Sequence, residues 1–209
     1  MISKITKIWP QCVLAIYLAV FGYYAYKPLY MPMWIMENSL AVIPAAILVV
    51  LYCKGVRFSN IAYTLILIAL WWQTVGGHYC FGDVPFGYWL QEVFNFKRNN
   101  FDRIGHFMVG FFAFAAMEYF ESRELIRSRG LCALLVVMAI FGVAGIFEII
   151  EWIHFAITKD VAFQGTQGDL WDPQKDMLCD GMGAIFTAIL YAIRYKGKNI
   201  STVIGYIKR

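Results

Sequence analysis

Long apolar runs alternate with short polar breaks along this chain, at a spacing set by membrane thickness rather than by a soluble core. The runs fall near residues 11–26, 40–53, 60–75, 104–120, 131–157 and 174–193 and are dominated by Leu, Ile, Val, Ala and Phe. The longer ones approach the roughly 20 residues that a helix needs to cross the hydrocarbon. Backbone polar groups in lipid must be satisfied within the segment, so runs of this length predict helices. The pattern predicts an all-α polytopic membrane helical bundle of about six transmembrane helices, folded as a single integral membrane domain over residues 1–209. The runs at 40–53 and 60–75 are short or polar-edged, so the two-span reading of residues 37–75 rests on the least signal. Pro32, Glu37 and Asn38 are read as the stretch that brings the chain back before the second span.

Two polar interruptions break the rhythm. Residues 73–102, QTVGGHYCFGDVPFGYWLQEVFNFKRNNFD, are too long for a turn between helices and too rich in Gly and aromatics for a disordered linker. They predict an ordered outer loop or partly re-entrant segment. The second interruption is Gly165–Asp180, GTQGDLWDPQKDMLCD, where a polar loop runs directly into an apolar helix. Asp172 followed by Pro173 is a helix-start signal, because the Asp side chain can accept from first-turn amides and Pro gives up an N–H that has no partner there. Asp172, Asp176 and Asp180 then recur every four residues, placing carboxylates along nearly one helix face.

Composition supports the membrane class: 60% of residues are hydrophobic and only 15% charged, with a mean hydropathy of +0.58. Lys4 and Lys7 before an apolar run resemble a signal peptide, but FGYYAYKP offers no small-residue cleavage site, so the segment reads as an uncleaved first span. Five cysteines, an odd number scattered mostly within spans, imply neither a disulfide framework nor a CxxC metal site, with Cys80 and Cys179 a weak candidate pair. No phosphate-binding glycine loop, GxSxG elbow or HExxH occurs, and nothing points to nucleic acid. Of the 18 lysines and arginines, six fall on one side of a six-span arrangement: Lys27, Lys97, Arg98, Arg103, Lys159 and Lys175. The other twelve gather on the opposite side, which predicts that both termini are cytoplasmic and that residues 73–102 face outward. The basic carboxy-terminal tail suits an anionic inner leaflet.

Candidate chemistry lies toward the predicted outer face. Asp102 and His106 share a face at the start of the fourth span, a spacing that suits a carboxylate orienting an imidazole or two groups holding a cation. Asp102 as a helix cap, with Arg103 reaching lipid phosphate and His106 a buried hydrogen-bonded residue, is the structural alternative. Glu148, Glu151 and His154 form a stripe near the end of the fifth span. Glu151-x-x-His154 is half of a carboxylate-bridged di-metal pattern whose second half is missing unless Asp102 and His106 supply it. With His78, Asp169, Asp172, Asp176 and Asp180, these residues are expected to share one layer, because ionisable groups in spans cost roughly 2.5–3.5 kcal/mol each at a helix centre unless they share partners or water.

TVGGHYCFGDVPFG, DRIGHFMVG, EIIEW and GTQGDLWDPQKDM, in this order, resemble the YjdF-like family of bacterial inner-membrane proteins, over roughly residues 73–185. More loosely, Asp102-x-x-x-His106, Glu148 and the Asp176–Asp180 region are similar to VanZ-like proteins, associated with glycopeptide tolerance at the cell envelope, although those lack the glycine-aromatic loop. The resemblance implies a bacterial inner-membrane location and a helical fold, and no reaction.

Three functional classes remain open. The first is a site that binds or processes an envelope lipid or other amphiphile, with His106, Glu148 and Glu151 as catalytic groups and His78, Arg103, Asp169 and Asp172 contacting substrate. A divalent metal on His106, Glu148, Asp176 and Asp180 would fit that reading, and metal-free proton sharing is its alternative. The second is a small proton- or ion-coupled transporter, against which the inner halves of the spans read as almost uncharged. The third is a non-catalytic membrane scaffold.

Overall fold

The structure, a computed structural model, describes residues 4–159, 166–198 and 200, with side chains from residue 8 onward. Gly165, the side chains of Lys4 and Lys7 and the basic tail from 201 lie outside the described residues. The described chain is helical: α1 (Lys4–Tyr24), α2 (Met31–Cys53), α3 (Asn60–His78), α4 (Pro85–Phe94), α5 (Phe101–Val109), α6 (Phe112–Ser122), α7 (Arg129–Thr158) and α8 (Asp172–Arg194). Each of the six predicted runs is largely helical, the fourth as two helices. By length and apolarity α2, α7 and α8 are each able to cross a bilayer unaided.

Three boundaries differ from the sequence expectation. The second span begins nine residues before residue 40, at Met31, because Pro32 sits in the first turn, where its missing N–H costs nothing. Glu37 and Asn38 are therefore inside α2 and on its buried face with Met33 and Ala41. The fourth span is two helices. Around Gly110 and Phe111 the bonds shorten to three-residue spacing, Ala113 N–H to Gly110 O and Phe114 N–H to Phe111 O, which separates α5 from α6. The 73–102 segment is ordered as expected, but its first part continues α3 to His78 and its middle forms α4, opened by Pro85.

Ser59 and Ser128 cap α3 and α7 by accepting from Ala62 N–H and Leu131 N–H. Asp172 does not play this part at α8: the cap position is Trp171, with no side-chain cap bond, and Asp172 is the first helical residue. Its carboxylate is taken by two arginines instead.

The main core lies among α1, α3, α6 and α8, where Tyr17, Ile66, Phe114, Met117, Ala184, Tyr191 and Tyr195 are buried. Ile43, Ile47 and Val50 on α2 and Leu134, Met138, Val143 and Ile146 on α7 are exposed, a distribution suited to lipid. Lipid tails are as apolar as these side chains, so close backbone packing must hold the helices together. It does so where α5 crosses α8: a Cβ on Gly183 would lie 1.9 Å from Phe107 O, and one on Gly110 would lie 2.2 Å from Ala184 N.

The end of the bundle opposite the α3–α4 turn is closed by polar groups that the sequence reading passed over. Glu118, fully buried on α6, accepts from Ser59 N–H at 2.9 Å and from Tyr195 O–H at 2.8 Å. Glu121 pairs with Arg129 and accepts from Tyr191 O–H at 2.7 Å. The expectation of nearly uncharged inner halves is corrected here: a carboxylate is tolerated at Glu118 because hydroxyl and amide donors meet it. All five cysteines, Cys80 and Cys179 included, are free thiols.

Candidate functional site

The α5–α8 crossing brings Asp102 and His106, one turn apart on α5, against Asp172, Asp176 and Asp180 on α8. Gly183 lies three residues after Asp180, and its lack of a side chain lets Phe107, the neighbour of His106, approach α8 directly. Small residues one turn below the polar groups thus determine how close the polar groups come.

His106 is the hub. Its Nδ1 lies 2.9 Å from Asp180 Oδ2, a hydrogen bond that the ring donates when Asp180 is ionised. In the neutral ring, the Nε2 lone pair then faces Asp102 Oδ1 at 3.6 Å and Glu148 Oε1 at 3.9 Å, both beyond hydrogen-bond length. Asp102, His106 and Asp176 can each offer one ligand atom such that the atoms all lie within 4.8 Å of one another. Asp176 is 3% exposed, and its Oδ1 has no hydrogen-bond partner; the nearest cation is Arg103 Nε at 3.7 Å. Asp180, 1% exposed, likewise leaves Oδ1 unbonded.

Glu148 and Glu151 descend from α7, Glu148 buried and Glu151 half-buried. Glu37 reaches the same region from α2, where Gln73 Nε2 donates to its Oε2 at 2.9 Å and to its carbonyl at 3.3 Å. Asp102, His106 and Glu148 all lie within electrostatic reach of Glu37, as do Glu37 and Glu148 of Glu151. Glu37 is the member of the layer that sequence reasoning missed. The available signal was Tyr30-Met31-Pro32 as a helix start, which puts Met33, Glu37 and Ala41 on one face at four-residue spacing.

Above the carboxylates the charge is balanced. Arg103 Nη2 donates to Asp169 Oδ2 at 2.7 Å and to Asp172 Oδ1 at 2.9 Å. Arg98 pairs closely with Asp172 and stands 3.8 Å from Asp102. Lys175 and Arg103 hold the Asp169 carboxyl, which lies outside the spans, well below the usual carboxylate range. Asn99 N–H donates to Gln167 Oε1 at 3.0 Å, and Gln167 Nε2 returns a bond to Asn99 O at 2.9 Å. The Asn99 side chain donates to Gly82 O and Val84 O and accepts from Phe101 N–H. Gly87 is side-chain-free because the Asn99 amide fills that space. These bonds join the 79–100 segment to the residues before α8 as one cap.

One residue expected in the layer has other neighbours. His78 places Nδ1 2.8 Å from Tyr24 O and packs its ring on Tyr24 and Tyr79, joining α3 to the end of α1. His154 lies three residues beyond Glu151 on α7, where its carbonyl accepts from Thr158 Oγ1.

A family model described as "Predicted membrane protein (DUF2238)" matches residues 9–197. A curated relative, "Inner membrane protein YjdF" of Escherichia coli (strain K12), is 35% identical over 162 residues, covering 76% of this chain and 77% of the relative. Both findings agree with the YjdF-like resemblance, and neither bears on the VanZ-like one. No solved structure matches.

Proposed function

The chain belongs to the family described as Predicted membrane protein (DUF2238), and from that premise we propose that it is an inner-membrane protein whose polar layer opens outward and takes the polar head of an envelope lipid or other amphiphile. The observation that carries the reading is the convergence of Glu37, Asp102, His106, Glu148, Asp176 and Asp180 from four helices into one largely buried cluster near an end of the bundle. Structural neutralisation does not account for it. Arg98, Arg103 and Lys175 pair most closely with Asp169 and Asp172, which leaves these five acids with the imidazole and the longer contacts of Arg98 to Asp102 and of Arg103 to Asp176 as counter-charges. Intramembrane ionisable groups of this kind mark sites or pathways.

The arrangement also supplies a route. Among the described residues α2 packs extensively on α3 alone, and α7 on α6 and α8; we read the interval between α2 and α7, which contribute Glu37 and Glu148, as the seam. An amphiphile could place its head at that seam while its tail stays in lipid. The twelve-to-six split of positive residues supports reading this end of the molecule as the outer one.

The test is lipid extraction and mass spectrometry of protein purified in a mild detergent. A membrane amphiphile enriched over the bulk lipid on wild type, and lost from Glu37→Gln and Glu148→Gln, supports the reading. The same bulk lipid profile on all three proteins ends it.

The broken α5–α6 span favours one other reading, a small proton- or ion-coupled transporter, since interrupted helices serve as ion sites in such proteins. Ion or proton flux in proteoliposomes, abolished by Asp176→Asn, would select it.

A further inference from the structure

We propose that the α5–α8 crossing is a divalent-cation site whose ligands are His106 Nε2, Asp102 and Asp176, with Glu148 at the edge of the coordination sphere and Asp180 as the residue that positions the imidazole. This goes beyond the amphiphile reading and stands without it, because it concerns the spacing of the side chains rather than what approaches from lipid.

The first support is separation. Donors about 2.1 Å from a tetrahedral zinc-like ion stand roughly 3.4 Å from one another. His106 Nε2 is 3.6 Å from Asp102 Oδ1 and 3.9 Å from Glu148 Oε1, too far to hydrogen-bond and near the distance that a shared ion imposes. The ligand atoms of Asp102, His106 and Asp176 stay within 4.8 Å of one another. The second support is independent of spacing: Asp176 is buried and its Oδ1 makes no hydrogen bond, its nearest cation being Arg103 Nε at 3.7 Å, beyond hydrogen-bond length. A buried unbonded carboxylate oxygen costs free energy that a cation would recover.

The third support is the orientation of the ring. Metal-bound histidines usually donate their other N–H to a carboxylate, which fixes the tautomer and raises the basicity of the ligating nitrogen. Asp180 occupies that position at 2.9 Å. Its role therefore differs from that of a ligand, and Asp102 takes the ligand place. Mostly oxygen donors with one imidazole suit Zn²⁺, Mn²⁺ or Fe²⁺ over soft thiophilic ions. Cys179, the nearest thiol in sequence, lies on α8 beside Asp180 and is absent from the group.

The experiment uses full-length protein carrying a histidine-free affinity tag, purified without chelator and measured by elemental analysis, then stripped and titrated with Zn²⁺, Mn²⁺ and Fe²⁺ separately. The expected result is about one ion per chain and saturable rebinding of at least one of the three. His106→Ala should abolish rebinding. Asp180→Asn, which keeps every proposed ligand, should weaken it by roughly 10–100-fold. Glu121→Gln, at the other end of the bundle, should leave it unchanged. Absence of both bound metal and saturable rebinding in wild type overturns the proposal, as does wild-type affinity in Asp180→Asn or in folded His106→Ala. If His106→Ala does not fold, Asp180→Asn and Asp102→Asn decide. Lipid enrichment is a separate readout, so a metal-free protein that still selects an amphiphile would refute this site and leave the previous reading standing.

Discussion

His106 and Asp180 lie 74 residues apart in sequence and 2.9 Å apart in space, joined across the crossing of α5 and α8. Asp180 is almost fully buried, so removing one partner strands the other away from water. We expect Asp180→Ala to destabilise the protein by on the order of 3 kcal/mol. In a His106→Ala background the same change should cost much less, and a double-mutant cycle in detergent unfolding reads the coupling. Additive effects would show that the contact contributes nothing specific.

The glycine contact beneath that pair gives a second expectation. Gly183→Ala must separate the α5 and α8 backbones, since the added methyl carbon would fall 1.9 Å from Phe107 O. A loss of about 1–3 kcal/mol is expected, together with weaker function of whatever depends on His106. Gly142→Ala on α7 meets nothing within 4 Å and should leave thermal stability unchanged or raise it. Equal effects of the two substitutions would sink the close-packing account.

Asn99→Ala tests the cap. Its side chain serves Gly82 O, Val84 O and Phe101 N–H while 1% exposed, so truncation leaves buried backbone groups without partners. A cost of about 1–3 kcal/mol concentrated in the cap should appear as faster hydrogen exchange and proteolysis in residues 79–100, with the spans unchanged.

Asp169 supplies the pH expectation. Lys175 first, and Arg103 second, depress its carboxyl in the folded protein. A depressed acid contributes stability that is present above its unfolded value, about 3.9, and is lost only as pH falls through the lower folded value. Hydrogen exchange in residues 166–171 should thus respond to Asp169→Asn equally at pH 5 and pH 8. A response that fades between those values would mean that the ion pairs do not hold the carboxylate in solution.

Orientation can be read directly. Reporter fusions after Arg129 should be cytoplasmic and fusions after Asn99 external, given the distribution of positive residues. The inverse pattern would place the carboxylate layer against the cytoplasm and remove the envelope amphiphile as its ligand.

The spans and much of the polar layer were legible because period and burial agree there: Asp102 with His106, and Asp176 with Asp180, are each one helical turn apart and on the buried sides of α5 and α8. Glu37 was not legible while it counted as a turn residue, since a carboxylate next to Asn38 resembles a loop until Pro32 is recognised as a helix start. The break at Gly110 was hidden because glycine within an apolar run signals close packing as readily as interruption. Whether Asp172 caps its helix or binds arginine depends on Arg98 and Arg103, which arrive from another part of the chain and leave no local mark.

The reciprocal bonds between Asn99 and Gln167 span 68 residues, and the partners of His106 on α8 are further still from α5. During synthesis α5 therefore enters the membrane well before Asp176 and Asp180 exist. Until α8 inserts, His106 and Asp102 have only each other, Glu37, Glu148, Arg98, Arg103 and water. Completion of the polar layer therefore waits on α8, and a nascent chain halted before it presents an unfinished hydrophilic surface.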